Sequence, residues 1–246
     1  MKIKYIPEAL TNGGICIIMY FVKRGDFLHH KLTAYRILMG IARPLMKLLY
    51  RPRIIGAEYI PAEGGAVIAG NHKHAFDPVL VNTATKRTVR TLAKKELHDG
   101  SFGFFFRAIA SIPVDLHAKH NPAALEAAVA ALKDSSLINV SPEAGRNYTD
   151  ELLLPFKYGA VSMSARTGVP IIPYAISGDY KLFAKHRLTI RFSAPLYAKG
   201  EDLTDANAAL YDRIAELLRS ITDEEILRTK HFTEFKDWST KHAPSS

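Results

Sequence analysis

Apolar residues along this chain cluster in short runs that alternate with stretches of helical spacing. Residues 53–56, 66–70, 88–93, 111–114, 137–140, 170–176 and 188–192 read as short strands. Helical spacing occupies residues near 78–86, 102–110, 122–134, 156–167 and 204–220. Asp77-Pro78 and Asn121-Pro122 each offer a capping side chain followed by Pro at the first helical position. Gly168, just after Arg166-Thr167, marks a helix stop. Strand–helix alternation of this kind predicts an α/β fold, a sheet covered by helices. No internal repeat or low-complexity tract interrupts it.

The first fifty residues differ. Residues 34–50 read AYRILMGIARPLMKLLY, and on a helical wheel Arg36, Arg43 and Lys47 fall within about 40° of one another. Ile37, Leu38, Ile41, Leu45, Leu48 and Leu49 cover much of the remaining surface. This pattern fits a helix lying in the headgroup boundary of a membrane, or a core helix with a solvated stripe. Pro44 is expected to kink or divide the helix. The longest uninterrupted apolar stretch, residues 13–22, has ten residues, whereas a bilayer span needs about 20. Lys2 and Lys4 ahead of that run resemble the start of a secretory signal, but Lys23-Arg24-Gly25-Asp26 follows where a small-residue cleavage site belongs. A chain that stays in the cytosol and touches a membrane from that side is expected.

Charge sharpens the contrast. The 246 residues carry a formal +9. Residues 1–53 hold ten basic side chains against only Glu8 and Asp26, a net +8, and the remaining 193 residues carry +1. A nearly neutral body with a basic front end points to a polyanionic partner. The abundance of large aliphatic residues in that front end favours an anionic membrane surface over nucleic acid, which is expected to be no partner. The single cysteine, Cys16, excludes an intrachain disulfide and reads as a small hydrophobe in an apolar run. The composition, 48% hydrophobic and 23% charged, is that of a folded protein with a sizeable core and excludes collagenous and disordered classes.

Candidate chemistry lies at strand ends. Residues 66–80 read AVIAGNHKHAFDPVL: a strand ends at Asn71-His72 and a helix begins at Asp77-Pro78. His72 and Asp77 thus fall on a short loop at the carboxyl edge of the sheet, where α/β proteins place their sites. Asp77, acting as helix cap, would keep one oxygen free for an imidazole N–H, and a His so oriented presents its other nitrogen as a general base. His72-x-His74-x-x-Asp77 also has the look of a metal loop, but Phe76 and Pro78 flank the aspartate where a further ligand is needed, so no metal is expected. A loop satisfied locally, without chemistry, is the remaining alternative. A second strand end carries Pro142-Glu143-Ala144-Gly145-Arg146, with a carboxylate, flexible backbone and a guanidinium suited to phosphate. A third carries Lys94-Lys95.

Together these residues resemble the lysophosphatidic acid acyltransferase (1-acylglycerol-3-phosphate acyltransferase) family of glycerolipid acyltransferases. The family's Asn-His-x-Ser-x-x-Asp block matches Asn71, His72 and Asp77, and its Lys-Lys-Glu-Leu element matches residues 94–97. Ile112-Pro113-Val114-Asp115 matches the second block, and Pro142, Glu143 and Arg146 match the third. Residues 155–160 and 169–173 match its Phe-Lys-x-Gly-Ala and Val-Pro-x-x-Pro blocks, in order, over about residues 53–195. Four departures, at five positions, stand out: His74 for Ser, Leu116 for Arg, Ala144-Gly145 for Gly-Thr, and Asn147 for Ser. Because the family's second-block Arg is associated with the acceptor's phosphate, Leu116 leaves the acceptor open.

The resemblance implies a mixed, largely parallel sheet covered by helices, of the glycerol-3-phosphate acyltransferase-like kind. Residues 53–240 would form the catalytic domain, and residues 1–52 a basic amphipathic segment docking it peripherally on the cytoplasmic face of the membrane. It implies transfer of a fatty acyl group from an acyl thioester, acyl-CoA or acyl carrier protein, to the sn-2 hydroxyl of 1-acylglycerol-3-phosphate, with no cofactor and with acyl carrier protein a partner where it is the donor. His72 would be the base and Asp77 its orienting carboxylate. Asn71, Lys94, Lys95, Glu143, Ala144, Gly145 and Arg146 would bind substrate. With no Gly-x-Ser-x-Gly elbow and no placed Cys, no acyl-enzyme is expected. A different lysolipid acceptor, or a non-catalytic lipid-binding relative, is the alternative.

Overall fold

The computed structural model describes residues 27–100, 103–109, 111–115, 121–182, 184 and 186–228. Cys16, the apolar run of residues 13–22, Leu116 and the tail from 229 lie outside the described residues. Seven strands form one sheet: β1 (Arg53–Ile55), β2 (Ala66–Gly70), β3 (Val89–Lys94), β4 (Ile112–Val114), β5 (Leu137–Val140), β6 (Ile171–Ser177) and β7 (Thr189–Phe192). Their order is β1-β7-β6-β2-β5-β3-β4. Strands β2 to β6 run parallel, β7 is antiparallel to β6, and β1 is parallel to β7. Each expected strand is present, β2 and β5 with the expected bounds and the others displaced by one residue at one or both ends.

The helices are α1 (Phe27–Tyr50), α2 (Asp77–Thr83), α3 (Lys95–Asp99), α4 (Gly103–Ala108), α5 (Pro122–Lys133), α6 (Gly159–Thr167) and α7 (Thr204–Arg228), with a 3-10 turn at Ala57–Tyr59. The 3-10 turn and α3 have no counterpart in the sequence reading, since both are too short to display a period. Gly168 ends α6 at φ 72°, as expected of a left-handed helix stop.

The central strands are buried on both faces, which is why they are mostly apolar, with Asn139 in β5 the buried polar exception. Period two still sorts their side chains. Val67, Ala69, Ile138, Val140 and Ile171 face Ala128, Leu132, Met163, Leu210 and Ile214 of α5, α6 and α7. Ala66, Ile68, Leu137, Ile172 and Tyr174 face the other side, with Leu80 and Val81 of α2 and Met46 of α1.

Helix α1 lies against α2 and α4. Among its residues from 33 onward Tyr35, Met39 and Met46 are buried, and Ile37, Ile41, Leu45 and Leu48 point outward, the first, second and last being 64%, 63% and 74% exposed. The basic stripe expected on this helix is broken, because Arg43 turns inward: its Nε donates to the carbonyl of Asn82 (2.8 Å) and an Nη to that of Arg87 (3.2 Å). Tyr35 donates to the Asn82 side chain and accepts from the Val89 amide. The helix crosses Pro44 as one element rather than dividing. The carbonyl that Pro44 strands is that of Gly40, an exposed residue. No helix among the described residues is long and apolar enough to cross a membrane.

Gly70 closes β2 where the backbone and ring of Tyr174 press closest: a Cβ there would sit 2.4 Å from the ring and 2.5 Å from the Tyr174 carbonyl oxygen. Gly70→Ala is expected to destabilise the fold by about 1–3 kcal/mol through overpacking, read as a lower denaturant midpoint. An unchanged midpoint would contradict this packing.

Candidate active site

Three neighbouring parallel strands, β6, β2 and β5, bring their carboxyl ends together, and the loops leaving them build the site. Asn71, directly after β2, prolongs the ladder with its side chain: Nδ2 donates to the carbonyl of Ile176 (3.0 Å) and Oδ1 accepts from the Ile176 amide (2.7 Å). Its amide therefore fixes the strand end from which His72 departs.

Asp77 is buried at the first position of α2. It does not cap that helix, as the sequence suggested; its carboxylate turns back on the preceding loop. Oδ2 accepts from the amides of Lys73 (2.7 Å) and His74 (2.8 Å) and lies 2.8 Å from His72 Nδ1. Oδ1 accepts from the Tyr180 hydroxyl at 2.6 Å. Backbone amides only donate, so the group they hold is a carboxylate, and the His72 proton must then sit on Nδ1. Nε2 is left as the basic nitrogen on the far side of the ring. The His72 side chain is 28% exposed and lines a cleft of about 300 Å³, with Asp77 behind it. Asn121 departs from the capping expectation in the same way: its side chain bonds the backbone of Asp115 instead.

Glu143 ties the second strand end to the first. One carboxylate oxygen accepts from the His72 amide (3.0 Å), the other from the Leu154 amide (2.8 Å). Burial pushes its carboxyl above the usual carboxylate range, opposed by those two amides. The Asn147 amide donates to the His72 carbonyl (3.4 Å), so the turn after β5 grips the His72 backbone on both sides. Ala144 occupies the left-handed region at φ 55°, and its amide is spent on the Ser141 carbonyl (3.0 Å); Gly145 has no positive φ.

Asn71, His72, Asp77 and Glu143 are thus brought together. Lys94 and Lys95 are exposed at the end of β3, two places along the sheet from β2, and do not line the cleft. Arg146 is exposed too, its guanidinium 5.4 Å from the ring centre of Tyr148. The cation that does line the cleft is Lys73, whose ammonium donates to the Gly178 carbonyl. Thr149, Leu152, Leu218 and Thr222 line the cleft as well. Sequence reasoning passed over all five. Lys73 lies inside the loop already singled out, and only its position next to His72 could have flagged it. Leu218 and Thr222 come from a helix 140 residues and more downstream, and no spacing rule points to them.

A family model described as Acyltransferase matches residues 51–177. The chain is 26% identical over 195 residues, 74% of its length and 96% of the relative's, to a protein of Bacillus subtilis (strain 168) named 1-acyl-sn-glycerol-3-phosphate acyltransferase. A protein of the same name from Cocos nucifera is 30% identical over 164 residues, 64% of this chain and 51% of that one. The crystal structure of the 1-acyl-sn-glycerophosphate acyltransferase from Thermotoga maritima shares the fold, with a TM-score of 0.64 and 21% identity over 85% of this chain and 88% of that one.

The left-handed backbone at Ala144 is a position glycine would occupy at lower cost. Ala144→Gly is expected to raise stability by about 0.5–1 kcal/mol, the relief of that strain less the added chain entropy. A lower unfolding midpoint in this variant would contradict the geometry of the turn.

Proposed function

This chain belongs to the Acyltransferase family, and from that premise we propose that it moves a fatty acyl group from an acyl thioester to the sn-2 hydroxyl of 1-acylglycerol-3-phosphate, giving phosphatidic acid. The observation that carries the reading is the 2.8 Å contact between His72 Nδ1 and the buried Asp77 carboxylate, at the edge of an open cleft. An alcohol is a poor nucleophile near neutral pH and needs a base within hydrogen-bond reach. His72 Nε2 takes the hydroxyl proton as the oxygen attacks the thioester carbonyl. Asp77 holds the tautomer and stabilises the imidazolium that forms. The proton then passes to the departing thiolate as the carbon–sulfur bond breaks. The oxyanion needs donors; with the Ala144 amide already spent, the Gly145 amide is the candidate from that turn.

The donor, acyl-CoA or acyl carrier protein, stays part of the proposal, as does the role of residues 1–52 as a docking segment ahead of a catalytic domain at 53–240. Support for docking comes from the outward face of α1, where Ile37, Ile41, Leu45 and Leu48 are exposed beside Arg36 and Lys47. Apolar side chains bordered by cations suit an anionic headgroup layer, and peripheral attachment to the cytoplasmic leaflet would bring two lipid substrates to the cleft. A second reading, transfer to a lysolipid with another headgroup, is favoured by the placement of Lys94, Lys95 and Arg146 away from the cleft.

His72→Ala and Asp77→Ala are each expected to lower kcat about a thousandfold or more while leaving the unfolding transition cooperative. Near-normal turnover in either purified variant defeats the mechanism. A panel of lysolipids read by mass spectrometry separates the two acceptors: exclusive conversion of a larger-headgroup lysolipid excludes the first. Ile37→Glu with Leu48→Glu is expected to release the protein from phosphatidylglycerol vesicles, and undiminished binding would contradict docking through α1.

A further inference from the structure

Asp77 Oδ1 faces a group that no sequence motif identified. Tyr180, in the loop after β6, reaches across to donate its hydroxyl at 2.6 Å. We propose that Tyr180 is a positioning residue for acyl transfer, fixing through Asp77 the orientation and basicity of His72; this rests on the dyad reading given above.

The ring of Tyr180 is held from two sides. His74 stacks on it at 4.5 Å between ring centres and 20° between planes, and Tyr50, the last residue of α1, packs edge-on at 5.8 Å. His74 is itself fixed, its amide donating to Asp77 Oδ2 and its Nδ1 accepting from the Phe76 amide (3.2 Å). The residue standing where the resembling family has serine therefore serves as the platform under Tyr180. Burial, and then the Asp77 charge, push the Tyr180 phenol far above its ordinary value, so it remains a donor. With Tyr180 on Oδ1 and two amides on Oδ2, the carboxylate cannot rotate away from His72.

Other groups around the imidazole are already committed. Glu143 accepts from the His72 amide, the Lys73 ammonium bonds Gly178 and lies 3.9 Å from Asp179, and Tyr174 donates to Asn139. A donor on Oδ1 spreads the carboxylate charge and weakens its hold on the imidazolium. Losing that donor should therefore tighten the carboxylate's hold on the imidazolium while freeing the carboxylate to turn.

Tyr180→Phe removes only the oxygen and keeps both ring contacts. It is expected to lower kcat about 10- to 100-fold, with KM for both substrates little changed and the acid limb of the pH–rate profile moved to higher pH. Incorporating 3-fluorotyrosine at position 180, a stronger donor in the native shape, should move that limb to lower pH, and covers the case in which Tyr180→Phe does not fold. Wild-type kcat and pH profile in the Phe variant, or a limb unmoved by the fluorinated ring, overturns the inference. His72→Ala assayed alongside separates the claims: if it is inactive while Tyr180→Phe is normal, only the role of Tyr180 falls, and if it turns over normally both fall.

Discussion

A negative charge held below the surface organises this molecule. The Asp77 carboxylate is buried at the start of a helix, where desolvation alone would cost on the order of several kcal/mol. Four donors offset it: two backbone amides, a phenol and an imidazole. Meeting that requirement forces the chain between β2 and α2 into a tight loop, draws in Tyr180 from the loop after β6, and turns the His72 ring so that Nε2 faces outward. The geometry that satisfies the charge is the geometry that makes a base.

The sheet supplies the frame for that loop. Parallel pairing of β2 with β5 and β6 places three carboxyl ends side by side. Polar side chains then knit the ends: Asn71 to the backbone of β6, Glu143 to the His72 amide, and the Asn147 amide to the His72 carbonyl. His72 is consequently held by its neighbours through backbone, ring and strand end at once, and little rearrangement is left for the moment of reaction. Helix α1 joins this frame through Arg43, Tyr35 and finally Tyr50 against Tyr180, so the element with the exposed apolar face ends within contact of the residue that holds Asp77.

Much of this was legible from residues alone, for physical reasons that differ by element. Strands β2, β5 and β6 are buried on both faces and are written in mostly apolar residues, Asn139 in β5 and the terminal Ser177 of β6 excepted. Gly168 and the two Asp-Pro and Asn-Pro pairs punctuated the helices. The sequence points to the Asp77 bond with His72 but also to a capping bond that does not form, because an aspartate before proline can face its own helix or the preceding loop, and only the loop's amides decide. Arg43 was read as part of a surface stripe, since a helical wheel does not reveal which carbonyls lie opposite. Tyr180 was invisible: it stands 103 residues from Asp77, and its role exists only once the sheet has closed that distance. Lys94, Lys95 and Arg146 share the functional edge of the sheet by strand direction, yet strand order sets the two lysines apart from the cleft.

The central claim is that the buried carboxylate decides which ring nitrogen of His72 carries the proton. Nitrogen-15 NMR of the histidine-labelled, vesicle-bound protein at neutral pH reads this directly, with His72 assigned by its substitution. A protonated Nδ1 with a bare Nε2 is the predicted state. A dominant tautomer with the proton on Nε2 would leave no base facing the cleft and would contradict the account.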